Sequence, residues 1–327
     1  MTADPTVDKD AEVSADAATP RPLPRKIHDL KARTWRGVLW RSAKGYLNDD
    51  CGDYAAAMTY NGILAVVPSL IVVVALVNLV SDSTSAVDAV LGILRDVGVG
   101  SITGDADLRS MIDSLLLRDS SAKALLSFGL LGALWSASGY VSAFTRASNH
   151  IYGVPEGRSW WRLRGLQVLL SAVVLLLLAA AATGLVISGP LVDAVGNALH
   201  AGETAKTAWS LGRWPVLVAI AVVVLSLLFW IAPNVKQPRF RWLTVGGFVS
   251  LLVWTIVSFG FGLYVANFGS YDKTYGSLGA IVAFIVWLYL SNSALLLGVE
   301  VNAEVQRGRL IQAGDPVPEA PLAPRAV

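Results

Sequence analysis

A chain of 327 residues that is 54% hydrophobic and 15% charged, with a mean hydropathy of +0.56, lies outside the range of a water-soluble domain, which carries about 25% charge. A soluble globular domain is therefore excluded, and a single cysteine, Cys51, excludes an internal disulfide framework and a multi-cysteine zinc site. The net charge of +2 decides nothing by itself, because what matters in a membrane protein is where the charges lie.

In chain order, residues 1–24 are acidic and rich in Ala, Thr and Pro, without an apolar core segment. They are predicted to be a disordered tail and not a cleavable signal peptide. Residues 25–54 are basic, and Ile27, Leu30, Trp35, Val38, Leu39 and Trp40 are spread through Ile27–Lys44. This pattern fits a juxtamembrane helix lying on the inner surface, with tryptophans at headgroup depth and cations against anionic lipid. Ordinary topology-setting charge is the alternative.

A membrane domain is expected over 55–310. About 20 apolar residues at ~1.5 Å each cross a hydrocarbon core of about 30 Å. Six segments qualify: Ala55–Val80, Ala124–Thr145, Leu166–Gly189, Trp214–Ala232, Leu243–Ala266 and Gly276–Val299. The fold class is all-α and polytopic. Pro68 falls inside the first span and is expected to kink it or free a backbone carbonyl there, since proline lacks an N–H and clashes with the preceding turn. Between spans 1 and 2, helical spacing occurs twice, at Val87, Val90, Leu91, Leu94 and at Leu108, Met111, Ile112, Leu115, Leu116. An outer amphipathic helical hairpin is predicted there. Residues 311–327 are predicted to be a second disordered tail.

Basic residues sort by side. Segment 21–54 holds eight Lys/Arg, connection 146–165 four, connection 233–242 three and the C-terminal side three, against seven in the opposite connections. The excess of Lys and Arg on cytoplasmic loops then puts both termini in the cytoplasm. An even number of spans agrees.

Sites for chemistry are scarce. His28, His150 and His200 fall outside the spans without ligand-like neighbours, and no metalloprotease, phosphate-loop or serine-elbow motif occurs. No cofactor or metal is expected, and no enzymatic activity. Glu300 and Glu304 are one turn apart at the polar end of span 6, where a boundary position limits the cost of a charge in the membrane.

Depth is more informative. Asn61, Ser138, Tyr140 and Asn292 fall roughly 9–15 Å below the inner surface at ~1.5 Å per residue. With Arg146, Glu300 and Glu304 nearer the surface, they define a candidate polar pathway. Polar groups at one depth mean either an inward-facing cavity or interhelical hydrogen bonds of about 0.6 kcal/mol each. Arg146, at the matching end of span 2, is the expected partner of Glu300. On span 5, Gly246, Ser250, Ser258 and Gly262 are multiples of four apart. Such a stripe of small residues predicts a close helix contact, with span 6 or with a second protomer.

The run TYGSLGAIVAFIVWLYLSNSALLLGVEVNAEVQR resembles the C-terminal signature of the YihY/virulence factor BrkB family. DDCGDYAAAMTYNGILAVVPSLIVV, YVSAFTRASNHIYGV and WIAPNVKQPRFRWLTVGGFVSLLVW also match, so the resemblance covers roughly residues 34–310. Tyr275, Gly276, Gly279, Trp287, Tyr289, Gly298, Glu300, Asn302 and Glu304 carry the signature, while Val299 and Val301 stand where Ala and Leu are expected. The resemblance implies a bacterial inner-membrane protein of six helices with both termini inside. Members are often labelled ribonuclease BN, a label at odds with their lack of a nuclease site. The leading expectation is a transporter- or flippase-like protein handling a lipid or envelope amphiphile. A membrane scaffold for an envelope partner or a second copy is one alternative, and a membrane-associated ribonuclease is the least favoured one. Membrane lipid is the expected partner, and nucleic acid is not.

Overall fold

The computed structural model describes residues 29–80, 119–198, 202–237, 242–267, 277–314 and 320–327. Among them are seven helices: α1 (Ala32–Asn48), α2 (Cys51–Val80), α3 (Asp119–Ile151), α4 (Trp160–Ala198), α5 (Gly202–Ile231), α6 (Val245–Asn267) and α7 (Ser277–Ala313). No β-strand occurs among the described residues, and the one β-bridge joins Val235 to Pro324. The predicted outer hairpin and the N-terminal tail lie outside the described residues.

Four stretches are long and apolar enough to cross a membrane: Trp160–Ala182, Leu211–Ile231, Val245–Val265 and Ile281–Ala313. The first two expected spans fall within α2 and α3, both of which are continuous helices. Pro68 lies inside α2, which is one continuous helix from Cys51 to Val80. The sixth expected span ends at Val299, but α7 continues to Ala313, so Glu300 and Glu304 lie mid-helix and not at a helix end.

The helices bury their shared surfaces and expose large apolar residues outward. Leu169 on α4, Val216 on α5, and Ile256 and Phe259 on α6 are all more than half exposed. Such a contiguous apolar exterior is the face a bilayer would cover. The core is densest at the end where α2, α3, α5 and α7 meet. There Met58, Phe144, Phe229 and Leu296 pack together, with the Phe144 and Phe229 rings stacked at 5.9 Å.

Helix α1 does more than lie on a surface. Its residues at helical spacing, Val38 and Ser42, are buried, and Val38 joins Leu30, Val301 and Val305 in a small core against α7. The opposite side carries exposed Leu39, Trp40 and Leu47 beside Arg33, Arg36 and Lys44. A two-residue turn through Asp49 and Asp50, the latter at a positive φ of 49°, leads straight into α2. Asp tolerates that left-handed conformation better than most residues. The turn delivers Cys51 to the interior beside α7.

Candidate functional site

At the centre of the bundle the polar residues of three helices meet. Asn292 on α7 is 1% exposed; its Nδ2 donates to Thr59 Oγ1 on α2 (3.0 Å) and its Oδ1 accepts from Tyr140 OH on α3 (2.8 Å). Thr59 Oγ1 donates onward to the Ala55 carbonyl at 2.7 Å. A buried amide has four hydrogen-bonding sites, and this chain engages both of its ends. Thr59 was not among the residues expected here. Its signal was available: it lies two residues before Asn61 in the same span and so at nearly the same depth.

The other members of the expected layer do not join it. Asn61 returns its Nδ2 to the Ala57 carbonyl (2.8 Å), and its Oδ1 lies where a Cβ on Gly139 would be, at 2.9 Å. Ser138 is buried but donates to the Trp135 carbonyl of its own helix. Depth was shared, but the directions the side chains face were not.

Glu300 is fully buried on α7. The thiol of Cys51 points at its Oε1 across 3.7 Å, while Oε2 has no hydrogen-bond partner. A Cβ on Gly45 would come within 2.8 Å of that oxygen, so α1 closes over the carboxyl group through a glycine. The expected pairing with Arg146 does not occur. Arg146 is exposed and donates to Ser142 Oγ on its own helix at 2.8 Å. Glu304, one turn on, is the carboxylate with cations: Oε2 accepts from Arg41 Nε (2.5 Å) and Oε1 from Arg307 Nη1 (2.6 Å). Two glutamates of one motif therefore have different environments: Glu304 is ion-paired to Arg41 of α1 and to Arg307, while Glu300 faces the Cys51 thiol and Asp49, with the charge of Arg307 acting on it as well.

The signature positions on α7 have structural explanations. Gly298 and Gly246 approach so closely that a Cβ on either would overlap the other residue's backbone, and Ser250 Oγ donates to the Leu295 carbonyl at 3.3 Å. Asn302 Oδ1 accepts from the Gly246 N–H (2.9 Å) while its Nδ2 donates to Thr244 Oγ1 (3.0 Å), so a side chain of α7 caps the first turn of α6. Two tryptophans cross in both directions: Trp254 Nε1 donates to Ser291 Oγ and Trp287 Nε1 to Ser258 Oγ, each at 3.1 Å. Thus Gly246, Ser250 and Ser258 face α7. Gly262 does not share the contact, since a Cβ there meets nothing within 4 Å. Tyr289 is half-buried with its hydroxyl 3.3 Å from the Cβ position of Gly52, Gly279 lies in the first turn of α7, and Tyr275 and Gly276 lie outside the described residues.

Beside this polar centre lies a cleft of about 350 Å³ between α4, α5, α6 and α7. Leu178, Leu217, Leu225, Trp254 and Leu288 make its walls apolar, and Tyr140, Ser291 and Asn292 bring polar groups into it. Among the described residues no group of three or more His, Cys, Asp and Glu side chains is arranged to hold a metal ion.

A second polar network ties connections together at the α1 end. Asn149 Oδ1 accepts from the Asn234 N–H (2.7 Å) and Asn149 Nδ2 donates to Glu156 Oε2 (2.9 Å). Glu156 grips Arg158 with both oxygens at 2.7 Å, and Arg158 Nη2 donates to the Ala232 carbonyl at 2.8 Å. Burial pushes the Glu156 carboxyl up, but the Arg158 and Asn149 hydrogen bonds outweigh it and hold the group below the ordinary range. The connections following α3 and α5, both on the basic side of the charge count, therefore touch. Sequence reasoning named neither Asn149 nor Asn234.

The family model described as Virulence factor BrkB matches residues 42–321. The ribonuclease-like protein YfkH of Bacillus subtilis (strain 168) is 30% identical over 264 residues, 80% of this chain and 92% of that protein. A UPF0761 membrane protein of Rhodospirillum centenum is 28% identical over 298 residues, and one of Psychrobacter sp. (strain PRwf-1) is 24% identical over 275. This chain spans 62% and 48% of the length of those two relatives. No solved structure matches the chain.

Proposed function

The chain belongs to the BrkB virulence factor family of membrane proteins, and from that premise we propose that it is a non-enzymatic inner-membrane protein that handles a lipid or similar amphiphile. The observation that carries this reading is the cleft at the bundle centre, apolar along its walls and polar at Tyr140, Ser291 and Asn292. Its volume of about 350 Å³ is within the ~300–1,000 Å³ range of ligand pockets. An acyl chain suits the leucine walls, and a headgroup or ester suits the polar side. Fixed hydrogen bonds at Asn292 hold the polar side in place, so the cavity and interhelical-bonding readings of the layer are compatible. The ribonuclease-like name of the Bacillus relative belongs to that protein and does not enter this proposal.

Vesicles containing a photoactivatable acyl-chain phospholipid test it. Labelling is expected on the segments carrying Leu225 and Leu288. Ala221→Trp, which fills the cleft, is expected to reduce that labelling at least fivefold with thermal stability retained. Labelling confined to outward residues such as Phe259 would overturn the reading and leave a scaffold for an envelope partner in front.

The proposed topology has six spans, α2 through α7, with the α1 end cytoplasmic. Support comes from the basic-residue asymmetry and from the contact between the connections after α3 and α5. Single cysteines at Thr103 or Thr204 are expected to react with an impermeant thiol reagent on intact cells, in a background where buried Cys51 is replaced by Ala. A cysteine at Trp160 is expected to stay unlabelled. The reverse pattern would invert the orientation.

A further inference from the structure

Composition predicts no structure for the end of the chain, yet α7 extends to Ala313 and residues 320–327 are held against the connection that follows α5. The Lys236 N–H donates to the Ala323 carbonyl (2.8 Å) and the Arg325 N–H to the Asn234 carbonyl (2.9 Å). These two bonds bracket an antiparallel bridge between Val235 and Pro324. Pro324 occupies the position whose N–H is not required, so the missing donor costs nothing. Asn234 extends the pairing with its side chain: Oδ1 accepts from the Ala326 N–H (3.0 Å) and Nδ2 donates to the Ala326 carbonyl (2.8 Å). The side-chain amide thus acts as one more strand residue.

Side chains add selectivity to this backbone pairing. Leu322 packs on the main core. The Arg325 guanidinium lies over the Trp230 ring at 5.4 Å and donates to the Val235 and Trp230 carbonyls at 3.1 and 2.8 Å. On the other wall the segment passes over Gly157, where a Cβ would overlap Ala326. The seat is braced by the network of Asn149, Glu156 and Arg158, which also holds the Asn234 N–H. The segment itself is only partly covered, with Ala323, Arg325 and Val327 exposed.

We propose that the groove between residues 149–158 and 232–237 is a recognition site for an extended peptide with a Leu-x-Pro-Arg pattern, occupied here by residues 320–327 of the same chain as a displaceable ligand. Its mode is addition of a strand to an exposed edge, with main-chain hydrogen bonds giving affinity and the Leu and Arg seats giving register. A polypeptide that carries the same pattern would compete with the tail. The proposal is independent of the lipid reading, because it uses none of the cleft residues.

The test uses a fluorescein-labelled peptide of residues 320–327 and three proteins in detergent. A variant ending at Glu319 is expected to bind the peptide saturably. Adding Asn234→Ala to that variant is expected to weaken binding at least tenfold, as is exchanging Arg325 of the peptide for Glu. The intact chain is expected to bind about a hundredfold more weakly than the truncated one, because a tether this short holds its own segment at roughly millimolar effective concentration. No binding to the truncated protein, or equal binding to intact and truncated chains, would overturn the proposal. Should the truncated form fail to fold, hydrogen exchange on the intact chain decides. The Lys236, Arg325 and Ala326 amides are expected to exchange at least tenfold faster than core amides of α2 and α7, as befits a local opening. Exchange as slow as the core would make the segment a fixed part of the fold and defeat the idea of a displaceable ligand.

Discussion

Gly298→Ala is expected to lower the melting temperature of the purified protein by on the order of 10 °C, and Gly246→Ala to do the same. A single methyl group at either position has no space: on Gly298 it overlaps the Gly246 carbonyl and Ser250 Oγ, and on Gly246 it overlaps the Gly298 carbonyl. Backbone cannot swing aside as a flexible side chain can, so α6 and α7 must separate. That separation also pulls Asn302 from the Gly246 N–H and strains the Trp254–Ser291 and Trp287–Ser258 bonds. Overpacking costs typically about 1–3 kcal/mol and occasionally more, and a clash with backbone lies at the upper end. Gly262→Ala gives the sign check. It is exposed and meets nothing within 4 Å, so the substitution is expected to be neutral or to gain up to about 1 kcal/mol of helix propensity. Size-exclusion profiles and thermal melts of the three variants measure this. A loss at Gly262 equal to that at Gly298 would mean that the outer half of the stripe contacts a second copy.

Glu304→Gln is expected to loosen α1 from the bundle, while Glu300→Gln is expected to leave stability near wild type. Glu304 is 3% exposed and joins α1 to α7 through Arg41 while also meeting Arg307. Neutralising it leaves two guanidinium groups without their shared anion. Loss of one partner from a buried pair costs about 3–5 kcal/mol, and the 35% exposure of Arg41 moves the expected figure down to about 2–3. A double-mutant cycle with Arg41→Met isolates the coupling, which is expected to exceed about 1 kcal/mol. Glu300 lies beside Asp49 and Cys51 with the charge of Arg307 acting on it, and an amide of the same shape, able to donate to those neighbours, fits where Cys51 and Gly45 enclose it. Protease sensitivity of the α1–α2 turn is the readout. The expected order is Glu304→Gln far above Glu300→Gln, and the reverse order would refute the assignment of the two glutamates. If Glu300→Gln retains stability but reduces acyl-chain labelling in the cleft, the buried carboxyl serves the lipid reading and not the fold.

Some of this was legible one residue at a time. A membrane class, the positions of the long helices, the basic side and the family signature follow from composition, apolar run length and local motif. Each is a property of a short stretch, and the driving force, transfer of apolar surface out of water, scales with that stretch alone. Axial depth was legible too, because ~1.5 Å per residue converts position into height. Thus Asn292 and Tyr140 were expected at one level, and they do bond.

What only the tertiary structure decided is direction and partner. Each residue advances about 100° around its helix, and which neighbour stands in that direction depends on how the helices pack. Asn61 therefore shares a depth with Asn292 but bonds to its own helix, and Thr59 takes the place expected for it. Arg146 and Glu300 occupy matching ends yet point to different surroundings, and the α1–α2 turn brings Cys51 instead. The stripe on α6 is real packing only where Gly298 and Trp287 stand opposite it. The C-terminal segment escaped notice for a different reason. Its Ala and Pro content carries no apolar period, and what holds it is two main-chain hydrogen bonds to the 234–236 connection together with side-chain bonds of Asn234 and Arg325, none of which follows a local pattern. Partners some 90 residues apart leave no local trace in the sequence, so only the presence of the opposite strand could disclose them.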